Sequence, residues 1–116
     1  IVIAPSSVAT STVDEELIRR ALGHIEANLD NGNYSVEQLS KDMNMDRTGL
    51  YRKLTAITGQ TPTEFMRSVR LKKAAQLLQT GLSVAEVAEQ VGFGSSSYFT
   101  KCFQEEFGVK PSQYKR

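Results

Sequence analysis

Apolar residues recur every three or four positions through most of this chain, beginning with Leu17, Ile18, Ala21, Leu22, Ile25 and Leu29, the spacing of one buried helical face. Thr12 or Asp14 is placed to cap that first helix, and the turn residues Asp30-Asn31-Gly32-Asn33 stop it. A short second helix is predicted to open at Ser35, which forms a capping box with Gln38, and to run through Met43. Asp46 caps a third, with Leu50, Leu54 and Ile57 on one face and Gly59 closing it. Thr61, Pro62 and Glu64 start the longest helix, expected to reach Gln79 before Gly81 stops it. Ser83 opens a fifth with Val84, Val87 and Val91 inward. Ser95 or Ser96 opens a sixth, in which Phe99, Phe103 and Phe107 share a face, and Pro111 after Gly108 admits a last short turn. No strand alternation occurs after residue 13, so the expected fold is all-α with about seven helices.

The opening IVIAPSSVATSTV lacks any helical period. Ile1 to Ile3 are β-prone, Pro5 breaks regular structure, and the rest is rich in Ser and Thr. Residues 1–13 therefore read as a linker remnant from a missing upstream domain, and a chain that starts at Ile1 reads as a fragment of something longer.

The segments from Ser35 and Ser83 repeat one another. Ser35/Ser83, Val36/Val84, Leu39/Val87 and Met43/Val91 match at one offset. After one inserted residue, Leu50/Phe99, Arg52/Lys101, Leu54/Phe103, Gly59/Gly108, Pro62/Pro111 and Phe65/Tyr114 match at the next. The repeated unit is a short helix, a tight turn and a longer helix, which reads as a helix-turn-helix. Asn44 and Gly92 suit a turn position with positive φ, and Ser40 and Ala88, four residues earlier, are small enough for the second helix to cross closely. The implied divisions are 14–60 and 81–116 as two helix-turn-helix subdomains, with 61–80 as the helix that links them.

Charge adds direction to this pattern. The net charge is only +1. Residues 1–46 nevertheless balance to −5 and residues 47–73 to +6, with seven basic side chains there against Glu64 alone. A cationic middle in a nearly neutral chain points to an anionic partner met by one face. With 116 residues, 40% of them apolar, the chain can bury a core of its own. Cys102 alone excludes an internal disulfide, and with His24 the only histidine the ligands for a structural zinc site are lacking. No apolar run approaches the roughly 20 residues of a membrane span. No nucleophile-base pair or phosphate-cradling glycine loop occurs, so neither catalysis nor a cofactor is implied.

The second copy, VAEVAEQVGFGSSSYFTKCFQEEFGVKPSQYKR, resembles the DNA-binding signature of AraC-family transcription regulators. Its marks are Gly92-Phe93, the serines before Tyr98-Phe99, Phe103, Phe107-Gly108, Pro111 and Tyr114, and the resemblance extends from Asp14 to the end. LYRKLTAITGQTPTEFMRSVRLKKAAQLL at 50–78 is further similar to the C-terminal output domain of Bacteroides-type hybrid two-component regulators. The resemblance implies double-stranded DNA as partner, with upstream sensor and receiver domains in the full-length protein and RNA polymerase as a further candidate. It also implies a cytoplasmic place of work, under a parent that can itself be membrane-anchored.

The family fold sets each second helix of the repeat in a major groove, two grooves one turn (about 34 Å) apart. Arg47, Thr48, Tyr51 and Arg52 are then the expected base-reading residues of the first reader, Arg52 foremost as a bidentate contact to guanine. The repeat carries these positions to Ser96, Ser97, Thr100 and Lys101. The shorter side chains there assign more discrimination to the first reader and more backbone contact to the second. Phosphates are expected at the helix starts Ser35, Thr61 and Ser83, with Lys53, Tyr98 and Lys110 assisting. Arg70, Lys72 and Lys73 read either as further phosphate contacts or as structural charges, on the helix surface or in an ion pair between subdomains. The phenylalanine stripe reads as core, the three methionines as gap fillers, Cys102 as redox-inert and His24 as partly exposed. Two other readings compete: a helical protein-interaction module docking polymerase or a receiver domain, and a nonspecific RNA binder, for which no surface set of stacking aromatics is evident.

Overall fold

The computed structural model describes residues 11–115, which form seven helices and no strand. In chain order they are α1 Thr12–Ala27, α2 Val36–Asp42, α3 Arg47–Thr58, α4 Pro62–Leu78, α5 Val84–Gln90, α6 Ser96–Phe107 and α7 Pro111–Tyr114. The β-prone Ile1 to Ile3 and the rest of the expected linker up to Thr10 lie outside the described residues. Ser11, rather than Thr12 or Asp14, caps α1: its hydroxyl accepts the Asp14 amide at 3.0 Å. The cap must stand on extended backbone just before the first turn, and Asp14 falls inside that turn, where its carboxylate favours the free amides instead.

The repeat is carried through the backbone. α2 and α5 are both seven residues long, α3 and α6 both twelve. In each copy the turn residue takes positive φ, 57° at Asn44 and 82° at Gly92. The following amide returns to the small residue of the first helix, Met45 to the Ser40 carbonyl and Phe93 to the Ala88 carbonyl, both at 2.9 Å. Gly94 is the inserted residue, standing just before the Ser95 cap of α6. Both longer helices end on a left-handed glycine, Gly59 and Gly108. A proline then begins the next helix, Pro62 or Pro111.

Two apolar cores result, and α4 serves both. The first joins Leu17, Ile18, Ala21 and Ile25 of α1 to Leu39, Met43, Leu50, Leu54, Phe65, Met66 and Val69. The second joins Leu71, Ala74 and Leu78 to Val87, Ala88, Val91, Phe99, Cys102 and Phe103. Phe65, Phe99 and Phe103 are wholly buried, and truncating any one to alanine removes about 3–5 kcal/mol. Phe107 packs on the second core from its edge, and Tyr114 of α7 meets Phe103 at a ring separation of 5.6 Å. His24 is partly exposed and Cys102 is buried.

Between Val69, the last α4 residue of the first core, and Leu71, the first of the second, stands Arg70. It is 8% exposed and forms no ion pair among the described residues. Its Nη1 donates to the carbonyls of Leu29 and Val91 (2.7 Å to the latter), and its Nη2 to that of Asn31 at 3.1 Å. The expected choice between a surface charge and an inter-subdomain ion pair is thus corrected. Arg70 does join the subdomains, through backbone carbonyls of the α1–α2 turn and the α5–α6 turn. Five donors in a fixed fork suit several carbonyls at once, as a carboxylate partner would not. Burial pulls its guanidinium below the ordinary value, while Asp30 acts in the opposite direction. A second link crosses the same seam, from the Gln60 amide to the Ser68 hydroxyl and from Ser68 to the Glu106 carboxylate at 3.2 Å. Lys72, half-buried, and Lys73, exposed, border a separate cleft beside Leu22 and Glu26 of α1.

Candidate nucleic-acid interface

α3 begins at Asp46, whose carboxylate accepts the Gly49 amide at 2.6 Å. Burying Leu50 and Leu54 turns the opposite side of the helix outward. Arg47, Thr48, Tyr51, Arg52 and Lys53 are accordingly exposed, Tyr51 by 52%. In α6 the cap is Ser95, which accepts from the Tyr98 amide, and Phe99 and Phe103 face inward. Ser96, Ser97, Tyr98 and Lys101 are exposed, but Thr100 is half-buried, because the neighbouring Phe99 and Cys102 draw that side of the helix toward the second core. The equivalent of Tyr98 in the first reader is Gly49, where a Cβ would press on the Asp46 carboxylate.

A cleft of about 630 Å³ brings Arg47, Thr48 and Tyr51 together with Val36 at the start of α2 and Thr61, Pro62 and Thr63 at the start of α4. Three of the four expected base-reading positions of the first unit therefore share one surface with the expected phosphate contact Thr61, and Ser35 caps α2 beside it. Lys53 does not join them. It borders a different cleft with Val13, Glu16 and Arg20 of α1, since five residues along a helix from Thr48 turn a side chain well away from it. Arg52, one turn from Thr48, stays exposed outside the lining of the cleft.

The helix starts are built alike. Ser35 with Gln38, Thr61 with Glu64 and Ser83 with Glu86 each form a complete capping box. The cap hydroxyl accepts an amide, which leaves its own proton free to donate outward. Thr61 and Ser83 backbone amides hold the Glu64 and Glu86 carboxyls below the usual range, their hydroxyls adding to the effect. Pro62 supplies no N–H, so Thr63 carries the one uncommitted amide in the first turn of α4. Lys110 is exposed, with its amide donating to Gln113 at 3.1 Å. Ser83 is half-buried, and neither it nor Lys110 borders the clefts described here.

Sequence reasoning missed Thr63 and Arg67. Both border a second cavity of about 420 Å³, between Ser35 and Val36 of the first unit and Phe93, Gly94 and Tyr98 of the second. The signal was available: Thr63, Arg67 and Arg70 stand at i, i+4 and i+7, one face of α4.

Two reader helices, each packed on its own short helix and both mounted on one continuous α4, define a double helix-turn-helix domain. The sequence model of the helix-turn-helix domain family matches residues 39–116, and the chain belongs to that family in its AraC type. It is 42% identical over 113 residues to the histidine kinase P4 of Formosa agariphila, covering 97% of this chain and 8% of the kinase. The fold is similar to the C-terminal domain of AraT, a response regulator from Geobacillus stearothermophilus, with TM-score 0.78, 28% identity, and 94% of this chain and 88% of that one covered. It is also similar to the DNA-binding domain of the transcriptional factor AdpA in complex with a target DNA, with TM-score 0.74, 30% identity and 90% of each chain covered. The chain spans less than two fifths of the length of the curated regulators it matches.

Proposed function

We propose that this chain is the output domain of a bacterial transcription regulator and binds double-stranded DNA sequence-specifically, its two readers entering adjacent major grooves. The observation that carries this reading is the duplicated unit: α3 and α6, both twelve residues, each with exposed polar positions at its start, on the shared helix α4. At 1.5 Å per residue α4 is about 26 Å long. With the packed ends added, that length suits two grooves one turn apart. The likeness to the AdpA domain, whose structure contains its target DNA, supports the same use.

In this reading Arg47, Thr48, Tyr51 and Arg52 read the first box, and Ser96, Ser97, Thr100 and Lys101 the second. Ser35, Thr61, Ser83, Tyr98 and Lys110 hold phosphates. Lys53 is a backbone contact only where the duplex wraps toward α1. The readers differ in sequence, so one chain reads a directional element. Sensor and receiver domains on the same polypeptide, a cytoplasmic place of work and contact with RNA polymerase complete the proposal. It is a binding role, in which the kinase chemistry of a relative covered over 8% of its length has no part.

The test is a duplex selection from a random pool with wild type, Arg52→Ala and Lys101→Ala at two salt concentrations. The expected result is an asymmetric motif of two boxes about one turn apart, the first blurred by Arg52→Ala. No enriched motif, with equal salt sensitivity in all three proteins, overturns sequence-specific reading by the isolated domain.

A further inference from the structure

The face of α4 that carries Arg70 into the seam also carries Arg67, one turn nearer the start of the helix. There the two subdomains part, and Arg67 borders the cavity of about 420 Å³ whose walls come from both: Ser35 from the first unit, Gly94 and Tyr98 from the second. Arg67 is half-buried. No carboxylate pairs with it, the one ion pair among the described residues being Arg19 with Glu16. Glu64, three residues before it, feels its charge, but the Glu64 carboxylate accepts the Thr61 amide at 2.9 Å and is committed to the capping box. A half-buried arginine with no ion-pair partner among the described residues keeps its donors open to an anion brought from outside.

The position of the cavity identifies that anion. Thr63 and Val36 border both this cavity and the cleft of Arg47, Thr48 and Tyr51, so one surface runs from the first reader across Thr63 and Arg67 to Tyr98 at the second. A protein whose readers occupy two successive major grooves on one face of a duplex must cross the sugar-phosphate backbone and minor groove between them. We infer that Arg67, in a cavity that Thr63 and Tyr98 also border, binds the phosphates of the spacer between the two boxes. The inference rests on the DNA-binding reading and adds a third contact region to it, one that reads no base and fixes register.

The test uses the 116-residue chain and the duplex recovered by selection with the wild type. Affinity is measured across a salt series for wild type, Arg67→Ala, Arg67→Lys and Arg52→Ala. Each is measured on that duplex and on a copy whose spacer phosphates are uncharged methylphosphonates. Arg67→Ala is expected to lower the steepness of log affinity against log salt by about 0.9, the share of one phosphate, with the box preferences unchanged. Arg67→Lys keeps the steepness, and the uncharged spacer weakens wild type but not Arg67→Ala. If Arg67→Ala fails to fold, Arg67→Gln replaces it in the same comparison. Equal weakening of wild type and Arg67→Ala by the uncharged spacer overturns the inference, and leaves the reading beneath it standing if Arg52→Ala still blurs the first box. A wild type that enriches no duplex overturns both.

Discussion

Arg70 and Gly92 compete for one place. A methyl group added to Gly92 falls onto Arg70 Nη1, and the Leu29 carbonyl that this nitrogen meets is 2.5 Å from the same point. The turn of the second helix-turn-helix is glycine for two reasons, its φ of 82° and the guanidinium packed against it. Only the first of these applies at Asn44, the same position of the first copy.

Gly92→Ala is therefore expected to cost more than the backbone penalty of about 1 kcal/mol for alanine in that region, reaching about 3 kcal/mol as Arg70 loses a carbonyl partner. Gly59→Ala, at φ 76° with nothing near the added methyl, isolates the backbone part. Asn44→Gly is expected to be nearly neutral and Gly92→Asn strongly destabilising. Urea unfolding of the four variants checks the ranking, and equal costs for Gly92→Ala and Gly59→Ala would contradict it.

Arg70→Met leaves the carbonyls of Leu29, Asn31 and Val91 without their donor, at about 2–4 kcal/mol. It also removes the tie from α4 to the carbonyls of both units. Binding to duplexes whose boxes are moved together or apart by one base pair then separates stability from geometry: wild type is expected to prefer one spacing, Arg70→Met to tolerate several.

Acid is expected to loosen the helix starts. Glu64 and Glu86 are held below the ordinary 4.5 by the amides and hydroxyls of Thr61 and Ser83, and Glu16 chiefly by its hydrogen bond with Arg19. A carboxyl with a depressed folded pKa adds stability that is complete above its unfolded value and lost as pH falls through the folded one. The loss thus begins below about pH 4.5. Glu64→Gln with Glu86→Gln is expected to flatten the acid arm of a plot of melting temperature against pH, as the neutral capping box of Ser35 and Gln38 shows that glutamine fits. An unchanged acid arm would assign the dependence elsewhere.

Cys102 is 5% exposed within the second core. Its reaction with a thiol reagent is expected to be at least about a hundredfold slower in the native protein than in denaturant, since access requires α6 to open. Fast native labelling would place α6 among the weakly held elements.

The helices and their repetition follow from the sequence alone, because caps, turn residues and apolar spacing act over three or four residues and each is a local cause. Ser35 with Gln38, Thr61 with Glu64, the paired turns at Asn44 and Gly92, and the phenylalanine face of α6 all belong to this kind. The cap of α1 was displaced to Ser11, because serine, threonine and aspartate stand close together there and extended backbone chooses among them. The exposed start of α3 was equally readable, since Leu50 and Leu54 determine which side turns outward.

Tertiary structure alone decided what lies between the units. Whether Arg70 is a surface charge or a buried bridge depends on carbonyls of Leu29, Asn31 and Val91, some 20 to 40 residues away in the chain. Lys53 turned toward α1, Thr100 sank toward the second core, and Arg67 came to stand between two readers that α4 holds apart. Spacing puts Arg67 on the face of α4 that carries Arg70 and turns Lys53 away from Thr48. What each of them meets there is not a matter of spacing. These outcomes arise from how two separately packed cores share one helix, and that is a relation between distant residues.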